Sequence, residues 1–283
     1  SCLRGGATLS SLWLEGNGMG RKFSSRPESK LPGEDRYDVG APTVRDLLLN
    51  KKKESKEVGY EAGGNRRYWD FVVVNDHTQS AVRDELKQQS KCVLEVHYLP
   101  TIAAGMKDSV TCDSTINTTV IFLQTAAYKS PVKNSSDLGS FNDFTESLVR
   151  GYDEYVELVR KFNENLERTQ QPAQHILLKA TVAPLGEAYR TIRQEKFEMW
   201  SNLLYANDDF HPSPHGTLLE ACLLYCIVSG GKKFGLFDVN DESFSTTYWW
   251  ETARYMQPQN DANGEPQDPL PLPTKEEAIY LND

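Results

Sequence analysis

Three runs of apolar residues, rich in β-branched and aromatic side chains, have the length of β-strands and lack polar alternation. They cover residues 68–74, 119–125 and 175–182. Two segments between them, 79–99 and 144–166, carry apolar residues at the spacing of an amphipathic helix. Because strands that alternate with helices are typical of parallel sheets, the pattern predicts an α/β fold. We expect three α/β/α layers around a doubly wound, mainly parallel sheet, with the first strand covered on both faces.

The chain is predicted to divide into one large domain over residues 1–256 and a C-terminal segment over 257–283. Residues 257–273 are rich in Pro, Asn, Gln and Asp, which is typical of a linker. Thr274 and Glu277 have the spacing of a capping box, so a short final helix is expected to begin there.

Composition narrows the classes of partner. The formal net charge of −9 over 283 residues disfavours nucleic acid and anionic membrane surfaces, because both select basic patches. No apolar run reaches the roughly eighteen residues that a membrane-spanning helix needs. The five cysteines are scattered without Cys-x-x-Cys spacing, and neither a metal nor another cofactor is predicted. A small neutral or sugar-like substrate fits this composition better.

The stretch from Asp208 to Gly216 contains the strongest candidate chemistry. Asp208 precedes His211 by three residues, so one loop can hold a carboxylate beside an imidazole. Such a carboxylate fixes the neutral tautomer of a general base and stabilises its charged form. His215 follows His211 at a spacing that two metal ligands on a helix could use, but Pro212 disfavours a regular helix between them. The favoured interpretation is a base and its orienting acid.

Polar residues follow two of the predicted strands. Asn75, Asp76 and His77 end the first strand, and Tyr128 follows the second. Ligands of open α/β sheets gather at the carboxyl ends of strands, so these side chains are expected near the chemistry. His77 is a rival base of lower rank than His211, and Asp76, His77 and Tyr128 are expected to wall the cleft.

The motif Asp-x-x-His-Pro-Ser-Pro-x-Gly at 208–216 resembles the last motif block of the SGNH (GDSL-type) hydrolases. Gly6, in a Gly-Ala-Thr stretch, resembles the second block of that family, and Asn75 resembles the asparagine of the third. The resemblance implies an SGNH or flavodoxin-like fold and a serine hydrolase mechanism. In that mechanism His211 is the base, Asp208 orients it, and the Gly6 N–H and the Asn75 amide hold the oxyanion.

The first block of that family, a strand followed by Gly-Asp-Ser or Gly-Asn-Ser, has no counterpart before Gly6. Ser114 follows no predicted strand, and Ser213 belongs to the base loop itself. We therefore expect that the chain lacks the first strand and the nucleophile through truncation, and that it is inactive in this form. The complete protein is expected to hydrolyse esters, with an O-acylated carbohydrate as the first candidate substrate. The alternative is a non-catalytic carbohydrate-binding or interaction protein that retains the shell of a hydrolase.

Overall fold

The computed structural model describes residues 8, 9, 13, 48, 69–107, 116–130, 136–169, 176–233 and 265–283. The chain forms two compact units: residues 1–122 with 151–181, and residues 123–150 with 182–283. The predicted boundary at 256/257 lies outside the described residues, and the described part of the C-terminal segment belongs to the second unit.

The described elements give a mixed α/β structure, as predicted. The strands are β1 (Phe71–Asn75), β2 (Ile116–Leu123) and β3 (Ile176–Ala183), and they form one open parallel sheet in the order β1-β2-β3. The helices are α1 (Asp84–Val93), α2 (Leu99–Lys107), α3 (Phe141–Thr169), α4 (Leu185–Glu195), α5 (Phe197–Asn202), α6 (Pro214–Val228) and α7 (Lys275–Asn282). A π-helical turn, Leu94–Tyr98, links α1 to α2, and a 3-10 turn, Ser136–Leu138, precedes α3.

Burial along the strands differs from one strand to the next. In β2 four consecutive residues, Val120 to Leu123, are buried, as expected for a strand covered on both faces. In β1 Val74 is buried, whereas Phe71 and Val73 are exposed. The expectation that both faces of β1 are covered is therefore wrong for the described structure, because a short apolar run does not reveal whether the second face has a neighbour.

In the first unit, the long helix α3 contacts strand β2 of the sheet. Several residues of α3 are buried as the helical spacing predicts. They include Tyr152, Tyr155 and Val159 in the part of α3 that belongs to the first unit, and Leu148 in the part that belongs to the second unit. The Tyr155 ring lies 5.7 Å from the ring of Phe122 on β2.

The segment predicted as a helix closing near Pro100 continues past that proline. Leu94 and Tyr98 are buried as expected, but the chain passes through the π-helical turn and on into α2. Pro100 is the second residue of α2 and follows directly after the π-helical turn, so the chain stays helical through a residue that cannot donate a backbone hydrogen bond.

Candidate functional site

Asp208 and His211 are in direct contact in the second unit. Oδ2 of Asp208 lies 2.6 Å from Nδ1 of His211. The other carboxylate oxygen, Oδ1, accepts the backbone N–H of Phe210 at 3.2 Å and that of His211 at 2.9 Å. The Asp208 side chain is 8% exposed and the His211 side chain is 50% exposed. A buried carboxylate thus holds a half-exposed imidazole, and both of its oxygens are occupied.

This geometry selects one tautomer of His211. An ionised carboxylate can only accept hydrogen bonds, so Nδ1 carries the proton and donates a hydrogen bond to Asp208. The lone pair of the neutral ring is then on Nε2. Burial acts to raise the pKa of the Asp208 carboxyl, but hydrogen bonds from the His211 ring, its backbone N–H and the Phe210 N–H together lower that pKa below its ordinary value. The carboxylate is therefore ionised at neutral pH, and Nε2 can accept a proton.

The loop that carries the pair is closed by its own backbone. The N–H of Ala206 donates to the carbonyl of His211 at 2.8 Å, and Tyr205 and Pro212 form an antiparallel bridge. Asp209 adopts the left-handed conformation, with φ of 64°, which turns the chain between Asp208 and Phe210. Aspartate tolerates this conformation better than most residues with a side chain.

The second half of the motif starts helix α6. Ser213 is the N-cap, and its Oγ accepts the backbone N–H groups of His215 and Gly216. Pro214 follows at the first helical position, where its missing N–H costs nothing. A Cβ at Gly216 would collide with the hydroxyl of Tyr189 and the carbonyl of Leu204, so only glycine fits. The Ser-Pro-x-Gly sequence thus fixes where the base loop ends.

Residues that follow β2 are tied to this loop within the second unit. The Tyr128 ring contacts the Phe210 ring edge-on at 5.8 Å, and Phe210 lies 4.4 Å from the His211 ring. Lys129 donates its backbone N–H to the carbonyl of Asp209 at 3.0 Å, and its Nζ lies 2.9 Å from Oδ1 of Asp209. The predicted wall residue Tyr128 is therefore beside the base, with Phe210 between them.

His215 lies in a different environment from His211. Its side chain is fully buried, and its Nε2 lies 3.2 Å from Oε2 of Glu277 on α7. Within the described part of the chain, its Nδ1 has no hydrogen-bond partner. Burial lowers the pKa of His215, and the neighbouring Glu277 opposes that shift only in part. His215 is a neutral core residue that joins α6 to α7.

The other predicted site residues belong to the first unit. Asn75 is the last residue of β1 and is half-buried. His77 is half-buried as well, and its Nδ1 accepts the backbone N–H of Gln79 at 3.4 Å. Gly6, the remaining predicted oxyanion donor, lies outside the described residues.

Asp76 is enclosed in the first unit and is not an accessible wall residue. Its Oδ1 accepts the backbone N–H groups of Leu9 at 3.2 Å and His77 at 2.8 Å. Its Oδ2 accepts the hydroxyls of Ser90 at 2.6 Å and Tyr155 at 3.1 Å. Four donors thus compensate one buried carboxylate, which fastens the end of β1 to its neighbours.

Sequence reasoning missed Phe210, Asp209 and Lys129 as neighbours of the base. Phe210 and Asp209 lie inside the motif, so an aromatic residue directly before the candidate base was the available signal. Lys129 gave none, because 80 residues separate it from Asp209.

No protein-family model, curated protein or solved structure matches this chain. Over the residues with a described position, no group of three or more His, Cys, Asp or Glu side chains is arranged to hold a metal ion. Over the same residues, no helix has both the length and the apolar character that crossing a membrane requires.

Proposed function

We propose that this chain carries the base of an SGNH-type serine ester hydrolase that transfers an acyl group to water. The observation that carries the proposal is the 2.6 Å contact between Asp208 Oδ2 and His211 Nδ1, made by a buried acid to a half-exposed ring. This arrangement is what a base needs in order to take a proton at Nε2 and return it. The Nδ1 of His77 accepts a backbone N–H instead of donating to a carboxylate, so His211 is the better base.

The proposed reaction assigns one step to each group. His211 Nε2 removes the proton of a serine hydroxyl as the serine Oγ bonds to the acyl carbon. Asp208 stabilises the imidazolium, and the resemblance to the SGNH motif blocks assigns the oxyanion to the Asn75 amide and the Gly6 N–H. The imidazolium then gives its proton to the leaving alkoxide as the ester bond breaks. Water repeats the sequence on the acyl-serine and releases the acid.

We further propose that the parallel sheet is the middle layer of a doubly wound α/β/α fold. The complete burial of Val120 to Leu123 in β2 supports helices on both faces. The edge position of β1 in the described sheet, with Phe71 and Val73 exposed, is compatible with an additional strand that carries the serine. None of the serines in the 283 residues follows a Gly-Asp or Gly-Asn pair.

The test compares the 283-residue chain with a form extended at its N-terminus by the genomically encoded sequence. We expect the extended form, and not the shorter one, to hydrolyse a chromogenic acetyl ester and to react with a fluorophosphonate. Asn75→Ala in the extended form should lower kcat about 10²–10³-fold, because one oxyanion donor is removed. Asn142→Ala is the matched control, since Asn142 is exposed and its Oδ1 accepts an exposed hydrogen bond from Nη1 of Arg193 rather than one from a buried group.

A non-catalytic carbohydrate-binding protein is the rival, and exposed Phe210 beside Tyr128 is the feature that favours it. The extended form separates the two proposals. An extended form that binds sugar esters but neither hydrolyses them nor reacts with a fluorophosphonate would support the binding protein. Hydrolysis that survives His211→Ala would refute His211 as the base.

A further inference from the structure

Phe210 is an exposed aromatic residue directly beside the proposed base. Its side chain is 39% exposed, and its ring lies 4.4 Å from the ring of His211. Because the two rings are this close, a ligand bound at His211 can contact the exposed part of Phe210.

The Phe210 ring is held in place before any ligand arrives. Its backbone N–H is bonded to Asp208 Oδ1, and Tyr128 supports the ring edge-on. Tyr128 is itself supported by the buried ring of Phe144, 5.3 Å away and nearly perpendicular. An aromatic ring with so little freedom loses little entropy when a ligand packs against it.

The surroundings of Phe210 are polar. Lys129 and Asp209 form an ion pair whose side chains are 26% and 31% exposed, and both residues adjoin members of the aromatic pair in sequence. A ligand that fits this surface needs one face of C–H bonds for the ring and hydroxyl groups at its edge for the charged pair. An alkyl chain offers the first and not the second.

We propose that Phe210, supported by Tyr128, stacks against the pyranose ring of an O-acylated sugar and so determines the specificity of the site. This inference rests on the proposed function for the presence of an ester at His211. The sugar presents its axial C–H face to Phe210, and its hydroxyls exchange hydrogen bonds with Lys129 and Asp209. Ring-borne esters are thereby selected over esters of linear alcohols.

The test uses the 283-residue chain, in which no turnover is expected, and follows ligand binding by NMR at the Tyr128 and His211 ring signals. The probes are a methyl xylopyranoside with one O-acetyl group, cyclohexyl acetate and n-hexyl acetate. We expect the acetylated xyloside to bind most tightly. Phe210→Ala should weaken its binding about five- to tenfold, the contribution of one well-formed ring contact.

Two variants separate stacking from other effects of the substitution. Phe210→Leu keeps an apolar side chain without a flat face and should weaken the xyloside as much as alanine does. Phe197→Ala is the matched control, because Phe197 is 54% exposed and is supported by Trp200 at 5.4 Å in the same unit. It should leave binding unchanged.

Three results would each overturn the specificity role of Phe210. They are binding of n-hexyl acetate that is tighter than binding of the acetylated xyloside, an equal loss of xyloside affinity in the Phe210 and Phe197 variants, and no change in the ring signals with the xyloside up to its solubility limit. None of these results alters the tautomer of His211 or the effect of His211→Ala on an extended form. Failure of this inference is therefore distinguishable from failure of the proposed base.

Discussion

Replacing Asp208 by asparagine should reverse the tautomer of His211. The Asp208 carboxylate accepts three hydrogen bonds, one from the His211 ring and two from backbone N–H groups. An asparagine offers one accepting oxygen and one donating NH₂. If the oxygen keeps the two backbone donors, the NH₂ faces Nδ1 of His211, and the ring has to move its proton to Nε2.

The amide orientation follows from the cost of the alternative. Turning the oxygen toward the ring would leave two backbone donors without their partner beside a side chain that is 8% exposed. Each unsatisfied buried donor costs about 1–3 kcal/mol, so the loss is at least about 2 kcal/mol. That difference favours the first orientation by roughly thirty to one. In a catalytically complete form, the misplaced lone pair should lower kcat about 10⁴-fold, or about 5 kcal/mol of transition-state stabilisation.

Long-range ¹H–¹⁵N correlation spectra of histidine-labelled protein measure this directly in the 283-residue chain. The wild type should show His211 with a protonated Nδ1, and Asp208→Asn should show a protonated Nε2. His215 is an internal control, because its Nε2 stays bonded to Glu277 in both proteins. If the variant keeps the Nδ1–H tautomer while the fold is intact, the assignment of Asp208 as the orienting acid is refuted.

Two further predictions concern stability. Asp76→Asn should lower the free energy of unfolding by about 2 kcal/mol or more, because the amide NH₂ would face donors whose hydrogen bonds the carboxylate accepts. Equal urea midpoints for variant and wild type would contradict a stabilising role for the hydrogen bonds to Asp76. The pKa of His215 is lower in the folded protein than in the unfolded chain, so the unfolded chain binds the proton more readily. The free energy of unfolding should therefore fall as the pH drops from the ordinary histidine pKa of about 6.5 toward the lowered pKa of the folded state. His215→Gln should remove that part of the pH dependence in urea titrations at neutral and mildly acidic pH, and an unchanged dependence would exclude His215 as its source.

The sequence predicted the strands and helices well where one local signal decides the structure. The capping box at Thr274 and Glu277 is confirmed, with both reciprocal hydrogen bonds present. The inward spacing on α3 is confirmed by the burial of Tyr152, Tyr155 and Val159. Both signals depend on residues a few positions apart, whose geometry a helix fixes.

The expectations that failed depend on distant parts of the chain. Whether Phe71 and Val73 are covered depends on what packs over β1, which their own apolar character does not specify. Pro100 carries a signal for helix termination, but its effect depends on its position relative to the π-helical turn before it. The low helix propensity of proline therefore does not decide by itself where this helical segment ends.

The same distinction holds for the candidate site. The contact between Asp208 and His211 could be predicted because three residues separate them within one loop. The position of Tyr128 and Lys129 beside that loop could not, because residues about 80 apart are brought together only by the fold. The catalytic roles of Asn75 and Gly6 remain predictions.

Glu277 takes part both in the N-terminal cap of α7 and in the contact between α7 and α6. Its Oε2 receives the backbone N–H of Thr274 and also contacts Nε2 of His215 on α6. An isolated helix of eight residues has little stability in water, so α7 depends on its docked position to persist. Any change that undocks α7 would therefore also uncover the buried His215 side chain.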